Sequence, residues 1–175
     1  MIEIKRVSEV MIPLDKYPHI PYWFTLRQAI AVLEKSELEI NGRKSLPRVI
    51  LVFDEKYRLM GMVRRRDLMR RLEPAFLGAG SKDYHMKLFD IKVDPNITEL
   101  SYDHLIKGIR ERAERPVSEV MFPIERTVES DDHITKAIYE MVDGNLSLLP
   151  AMNQGRIVGV VRSVDLFHEI AQLVL

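Results

Sequence analysis

The chain of 175 residues contains no cysteine. Disulfides, thiolate nucleophiles and cysteine-based metal sites are therefore excluded, which fits a reducing compartment. A surplus of one charge sign is also missing. Lys and Arg total 26, Asp and Glu total 26, and the formal net charge is zero. No global field draws such a chain to nucleic acid or to an anionic membrane. No segment approaches the roughly 20 consecutive apolar residues that span a bilayer. The start, Met1 to Arg6, lacks the long apolar core of a signal peptide, so the expected location is the cytoplasm. Signatures of catalysis are missing too. There is no Gly-x-Ser-x-Gly, no Gly-x-x-x-x-Gly-Lys phosphate loop and no dinucleotide fingerprint. The histidines His19, His85, His104, His133 and His168 show no metal-binding spacing. The expectation is a protein that is not an enzyme, with no catalytic residue, no metal site and no required cofactor.

What is present is repetition. Val7-Ser8-Glu9-Val10-Met11-Ile12-Pro13 recurs as Val117-Ser118-Glu119-Val120-Met121-Phe122-Pro123, differing at one position. Leu59-Met60-Gly61-Met62-Val63-Arg64 with Asp67-Leu68 recurs as Ile157-Val158-Gly159-Val160-Val161-Arg162 with Asp165-Leu166. Internal repeats of this kind decide the fold before any single element does. The expected organisation is one copy over 1–73, a linker over 74–115 and a second copy over 116–175. Two copies about a pseudo-two-fold axis create paired clefts, which suits a binding module better than a lone catalytic centre.

Each copy reads as strand, helix, strand, strand, helix. Thr25 with Gln28 three residues on is a capping box, and Leu26, Ala29, Ile30 and Leu33 share one helix face. In the second copy Asp131 or Asp132 can cap, ahead of Ile134, Ala137, Ile138, Met141 and Val142. Val49–Phe53 and Leu59–Val63 read as strands joined at Asp54–Tyr57. Leu148–Met152 and Ile157–Val161 match them, joined at Asn153-Gln154-Gly155. Closing helices are expected from Arg65 to Leu72 and from Ser163 to Leu175. The first copy is the longer, in Tyr17–Phe24 and above all in Ser36–Pro47, and extra length of this sort falls in loops. Within the linker, Gly78-Ala79-Gly80-Ser81 reads as flexible. A helix over about 101–113, with Leu105, Ile106 and Ile109 on one side, packs on the second copy or on a partner chain.

The opening motif, the strand pair with its Gly and the Asp six places later, in order and twice, resemble a tandem pair of CBS domains, or Bateman module. The resemblance covers about three-quarters of the chain. It implies an α/β (α+β) fold: two βαββα units packed sheet against sheet with pseudo-two-fold symmetry. It also implies a regulatory module that binds AMP, ADP, ATP or S-adenosylmethionine between the units and signals to a partner protein. The family habit, with apolar helix faces that two small units cannot cover, implies a homodimer.

The family's ribose-binding Asp falls on Asp67 and Asp165. A carboxylate there can accept hydrogen bonds from both ribose hydroxyls, or can simply stabilise the helix dipole. Three places earlier the family commonly has Ser or Thr, and this chain has Arg64 and Arg162. A guanidinium at a helix start suits phosphate; alternatively each Arg pairs with a neighbouring Glu. The adenine pocket of the resemblance falls on Thr127, Val128, Pro150 and Ala151 in the second copy, and on His19, Ile20 and Val52 in the first. Leu51 stands where the second copy has the family's Pro150. Tyr22, Trp23 and Phe24 either pack or offer a stacking platform. The basic run Arg64-Arg65-Arg66 with Arg70-Arg71 reads as a solvated helix face, since no nucleic-acid motif accompanies it. Glu129, Asp131 and Asp132 read as a solvated helix start. The competing expectation is a structural or interaction protein whose clefts are degenerate and empty.

Overall fold

The computed structural model describes residues 3–72 and 95–175. It contains two four-stranded sheets packed face to face, with helices on the outside. The first sheet has the order β2 (His19–Pro21), β5 (Val49–Phe53), β6 (Leu59–Arg64), β7 (Phe122–Pro123). The second has the order β8 (Val128–Glu129), β9 (Leu148–Asn153), β10 (Arg156–Arg162), β1 (Ile12–Pro13). In each sheet one pairing is parallel, β2 with β5 and β8 with β9, and the others are antiparallel. The mixed α/β architecture of two like units is the one expected.

The central strands are buried on both faces, and their period-2 alternation feeds two different cores. Along β5, Ile50 and Val52 join Ile20, Leu26, Ala29, Leu33, Val63 and Leu68 under the helices of the first copy. Val49, Leu51 and Phe53 point the other way and meet Leu148 and Val160 of the second sheet. On β9 and β10, Leu149, Ala151 and Val161 turn to the second copy's helices. Helix α2 (Leu26–Lys35) starts as the sequence predicts. The Gln28 amide donates to Thr25 Oγ1 at 3.2 Å, and the Thr25 amide donates to Gln28 Oε1 at 2.9 Å. Helix α5 (Ile134–Gly144) does not. Its N-cap is His133, with no side-chain cap. Asp132 instead accepts from the Glu129 amide at 3.0 Å and pairs with Lys136 at 2.9 Å. The closing helices are α3 (Arg65–Leu72) and α6 (Ser163–Val174).

Two features depart from a simple reading of the repeats. First, Ser36–Pro47 is not a plain loop but carries a hairpin, β3 (Leu38–Ile40) with β4 (Arg43–Ser45). Asn41 (φ 50°) and Gly42 (φ 77°) form its two-residue turn, the dipeptide that suits the positive φ such a turn requires. Second, the opening motifs are exchanged. Helix α1 (Val7–Val10) and β1 serve the second copy: Val7 and Val10 lie in its core, and the Val7 and Ser8 amides donate to Asp132 and Ser130 carbonyls. Val117 reciprocally lies in the first copy's core, its amide donating to the Phe24 carbonyl at 2.7 Å.

The repeated glycines exist for this exchange. Pro123 is the register partner of Gly61, and Pro13 that of Gly159. A Cβ on Gly61 would stand 2.7 Å from the Phe122 carbonyl oxygen, and one on Gly159 would strike the Ile12 carbonyl oxygen. Only glycine lets the exchanged strand approach so closely.

The linker helix α4 (Pro95–Arg112) begins earlier than the helix expected at 101–113. It lies beside the first copy rather than the second. The Arg27 amide donates to the Ala113 carbonyl at 2.8 Å, and the Arg112 guanidinium reaches the Leu72 carbonyl at 3.2 Å. The expected flexible segment Gly78–Ser81 lies outside the described residues.

Gly61→Ala and Gly159→Ala should each lower stability by about 1–3 kcal/mol through overpacking against backbone that cannot yield, seen as a lower urea midpoint. Wild-type midpoints in both variants would show that the exchanged strands are not tightly seated.

Candidate functional site

In both copies the last strand runs into the closing helix with no intervening loop, at Arg64 and at Arg162. Each arginine is the residue before the first helical turn, and the third residue of that turn is Asp67 or Asp165. At this spacing the carboxylate can turn back on the strand end. Asp67 accepts from the Arg64 amide at 3.1 Å, closing the helix start. Each Asp also takes a two-pronged ion pair from its own arginine: Nε and Nη2 of Arg64 at 2.8 and 2.9 Å, and Nε and Nη2 of Arg162 at 2.7 and 2.8 Å. The alternative of an Arg–Glu pair is thus replaced by an Arg–Asp pair inside the motif. Burial alone would raise the Asp67 carboxyl, but the Arg64 guanidinium and amide outweigh it and hold the group below the usual carboxylate range.

The two pairs are alike in geometry and differ in setting. Arg162 and Asp165 are 11% and 13% exposed, and Arg162 Nη1 also donates to Ser45 Oγ of the inserted hairpin at 2.9 Å. Arg64 is 38% exposed and stacks 4.6 Å above the ring of Phe122, which the exchanged β7 delivers.

Beside these pairs lie two clefts of about 580 and 550 Å³. Arg64, Arg66 and Phe122 line the first, and Tyr17, Ser45 and Arg162 the second. Arg48, Val49, Arg65, Ser147 and Leu148 line both, so the clefts adjoin and the starts of α3 and α6 open on one face. Among the described residues no carboxylate lines either cleft. Tyr17 is buried and donates its hydroxyl to the Val49 carbonyl at 2.7 Å. Burial drives its pKa far above the ordinary tyrosine value, so it stays neutral and acts as a wall.

Of the residues singled out from sequence, Arg64 and Arg162 face the clefts, with Asp67 and Asp165 behind them. Val128 and Ala151 are register partners inside the second core, and Ile20 and Val52 are register partners inside the first. Pro150 is buried opposite Val160, and Thr127 is exposed just before β8. His19 is directed elsewhere. Its Nδ1 donates to the Tyr17 carbonyl at 2.8 Å, its Nε2 accepts from the Tyr57 hydroxyl at 2.6 Å, and its ring meets Phe53 edge-on. A carbonyl can only accept, which assigns the proton to Nδ1. Tyr22 and Phe24 pack on the first core, while Trp23 is exposed. Sequence reasoning missed Arg48, Tyr17, Ser45 and Leu148. Leu148 matches Val49 and Arg48 matches Ser147 at the strand starts, while Tyr17 and Ser45 lie in the stretches where the first copy is longer, and only the fold brings the four together.

Comparison with known proteins agrees with this geometry. The family model described as CBS domain matches residues 7–74 and 117–172. The chain belongs to the CBS domain family. No curated protein sequence matches it. Among solved structures it is similar to a CBS domain-containing protein of unknown function from Bacillus anthracis, at 19% identity, 97% of this chain, 95% of that one and a TM-score of 0.66. It is similar to CBSX2 in complex with AMP, at 16% identity, 96% and 97% coverage and a TM-score of 0.61. A third neighbour is the cytosolic domain of the Mg²⁺ channel MgtE in complex with ATP, at 20% identity and a TM-score of 0.58, covering 94% of this chain and 48% of that one. These likenesses show the CBS-pair fold. Among the described residues no helix is long and apolar enough to cross a membrane, and no group of three or more His, Asp or Glu is placed to hold a metal.

Asp165→Asn strands a buried guanidinium and should cost about 3 kcal/mol, roughly 6–12 °C in Tm; calorimetry checks it. The Arg64–Asp67 pair should show its sign in pH. Because the folded carboxyl lies below the unfolded value of about 3.9, its contribution is complete above that pH and is lost as pH falls through the folded value. The unfolding temperatures of wild type and Asp67→Asn should therefore differ at neutral pH and converge below about pH 4.

Proposed function

We propose that the protein is a regulatory sensor that binds a phosphorylated adenosyl ligand in the cleft pair and signals to a partner protein. The observation that carries this reading is the cleft itself: arginine-rich, without a carboxylate on its walls, floored by Val49 and Leu148, and set at two helix starts. Cationic side chains beside apolar walls suit a phosphate joined to a flat base. That CBS-pair neighbours are described with AMP and with ATP supports the choice of ligand class. The module works without catalysis, by population shift. Ligand bridging the two copies favours one arrangement of the sheets, and the outer surface changes with it.

Homodimerisation in the cytoplasm belongs to this reading. On α6, Phe167 is 70% exposed and Val174 73%, and on α5, Val142 is 77% exposed. The corresponding first-copy helices have α4 beside them. Phe167→Asp should convert a dimer to a monomer in sedimentation velocity, and a monomeric wild type would remove this part of the proposal.

The rival, an interaction protein with empty clefts, has one observation in its favour, namely that both motif aspartates are already occupied by arginine. Thermal unfolding with AMP, ADP, ATP and S-adenosylmethionine separates the two. A ligand at 100 times its Kd adds about 2.7 kcal/mol, several degrees for a domain of this size. Arg48→Ala should weaken such binding about tenfold, as expected for one lost charged hydrogen bond. No shift with any of the four favours the rival.

A further inference from the structure

We propose that the cleft reads its ligand through a phosphate chain and leaves the ribose hydroxyls unread, a claim that rests on the sensor reading and narrows its ligand. A ribose diol needs a carboxylate that opens on the cleft, and neither Asp67 nor Asp165 lines one, whereas Arg64 and Arg162 do. Both oxygens of each carboxylate accept from the arginine three residues earlier, at 2.7–2.9 Å, so the guanidinium stands between the carboxylate and the cleft. The second pair cannot open cheaply. It is almost wholly buried, and Ser45 holds the outer edge of Arg162. Swinging Arg162 toward a ligand would abandon a buried carboxylate. The first pair is steadied by the Phe122 ring, and Asp67 is itself only 11% exposed.

The charge count points the same way. Arg64 and Arg162 are neutralised by their own aspartates. Arg48, Arg65 and Arg66 also line the clefts, and none has a carboxylate partner among the described residues. Arg65 is aimed by a bond to the Pro47 carbonyl at 2.9 Å. Three uncompensated guanidinium groups around one trough match a polyphosphate better than a monophosphate, and a neutral nucleoside not at all.

The test is titration calorimetry of the whole chain with ATP, 2′-deoxy-ATP, adenosine and inorganic tripolyphosphate. ATP and 2′-deoxy-ATP should bind within about twofold of each other, as no charged hydrogen bond distinguishes them. Tripolyphosphate should compete with ATP, and adenosine should not bind. Arg64→Ser keeps a capping residue at the helix start and frees Asp67. It should create a preference for ATP over the deoxy form of about tenfold, the worth of one charged hydrogen bond. A wild-type preference of that size, or adenosine binding as tightly as ATP, overturns the proposal while leaving the sensor reading intact. Binding of tripolyphosphate without any nucleotide sinks the adenosyl reading and keeps the phosphate cleft. Binding of none of the four overturns both.

Discussion

The carbonyls of Ile12 and Phe122, seated against Gly159 and Gly61, are the contacts on which the rest of the structure depends. Each closes a sheet of one copy with a strand from the other. Neither copy then has a complete sheet or a complete core of its own, since Val7 and Val10 complete one core and Val117 the other. Exchange at two points fixes the copies about a pseudo-two-fold axis. It brings the starts of α3 and α6 to one face, where Arg65 and Leu148 line both clefts. The Met-x-Pro segment and the distant glycine are thus two halves of one contact, which explains why they repeat together.

The second constraint is electrostatic. A strand that ends in arginine and a helix whose third residue is aspartate give a ring closed within four residues. That ring is worth more than a surface pair because one side of it is shielded from water. The copies use it differently. In the second, the inserted hairpin supplies Ser45 and buries the pair. In the first, Phe122 covers one face of the guanidinium and leaves the rest toward solvent. The pseudo-symmetry of the fold therefore does not extend to the clefts, and any ligand meets one open arginine and one locked one.

Much of this architecture is legible in the sequence. The repeats fix the two sheets, and β5, β6, β9 and β10 fall where runs of apolar residues end in turn signals. The Thr25–Gln28 capping box is local chemistry and reads directly. The failures have physical causes. The hairpin at Asn41-Gly42 hides because its outer strand, Arg43–Ser45, has no apolar member. The cap of α5 is misread because Asp132 is drawn to the Glu129 amide. The exchange of opening motifs is a long-range pairing, and no local pattern encodes it. For the site, the motif residues Arg64, Asp67, Arg162 and Asp165 are visible as a repeat. Arg48 and Tyr17 are not, because Arg48 stands where the second copy has Ser147, and Tyr17 enters the cleft from a stretch in which the first copy is longer.

A crystal structure of the protein grown with ATP tests the central claim most directly. The account predicts a nucleotide in the cleft pair with its phosphates on Arg48 and Arg65 and both Arg–Asp pairs unbroken. ATP held elsewhere on the molecule, or held in the cleft by Asp67 or Asp165 after its arginine has swung away, would contradict it.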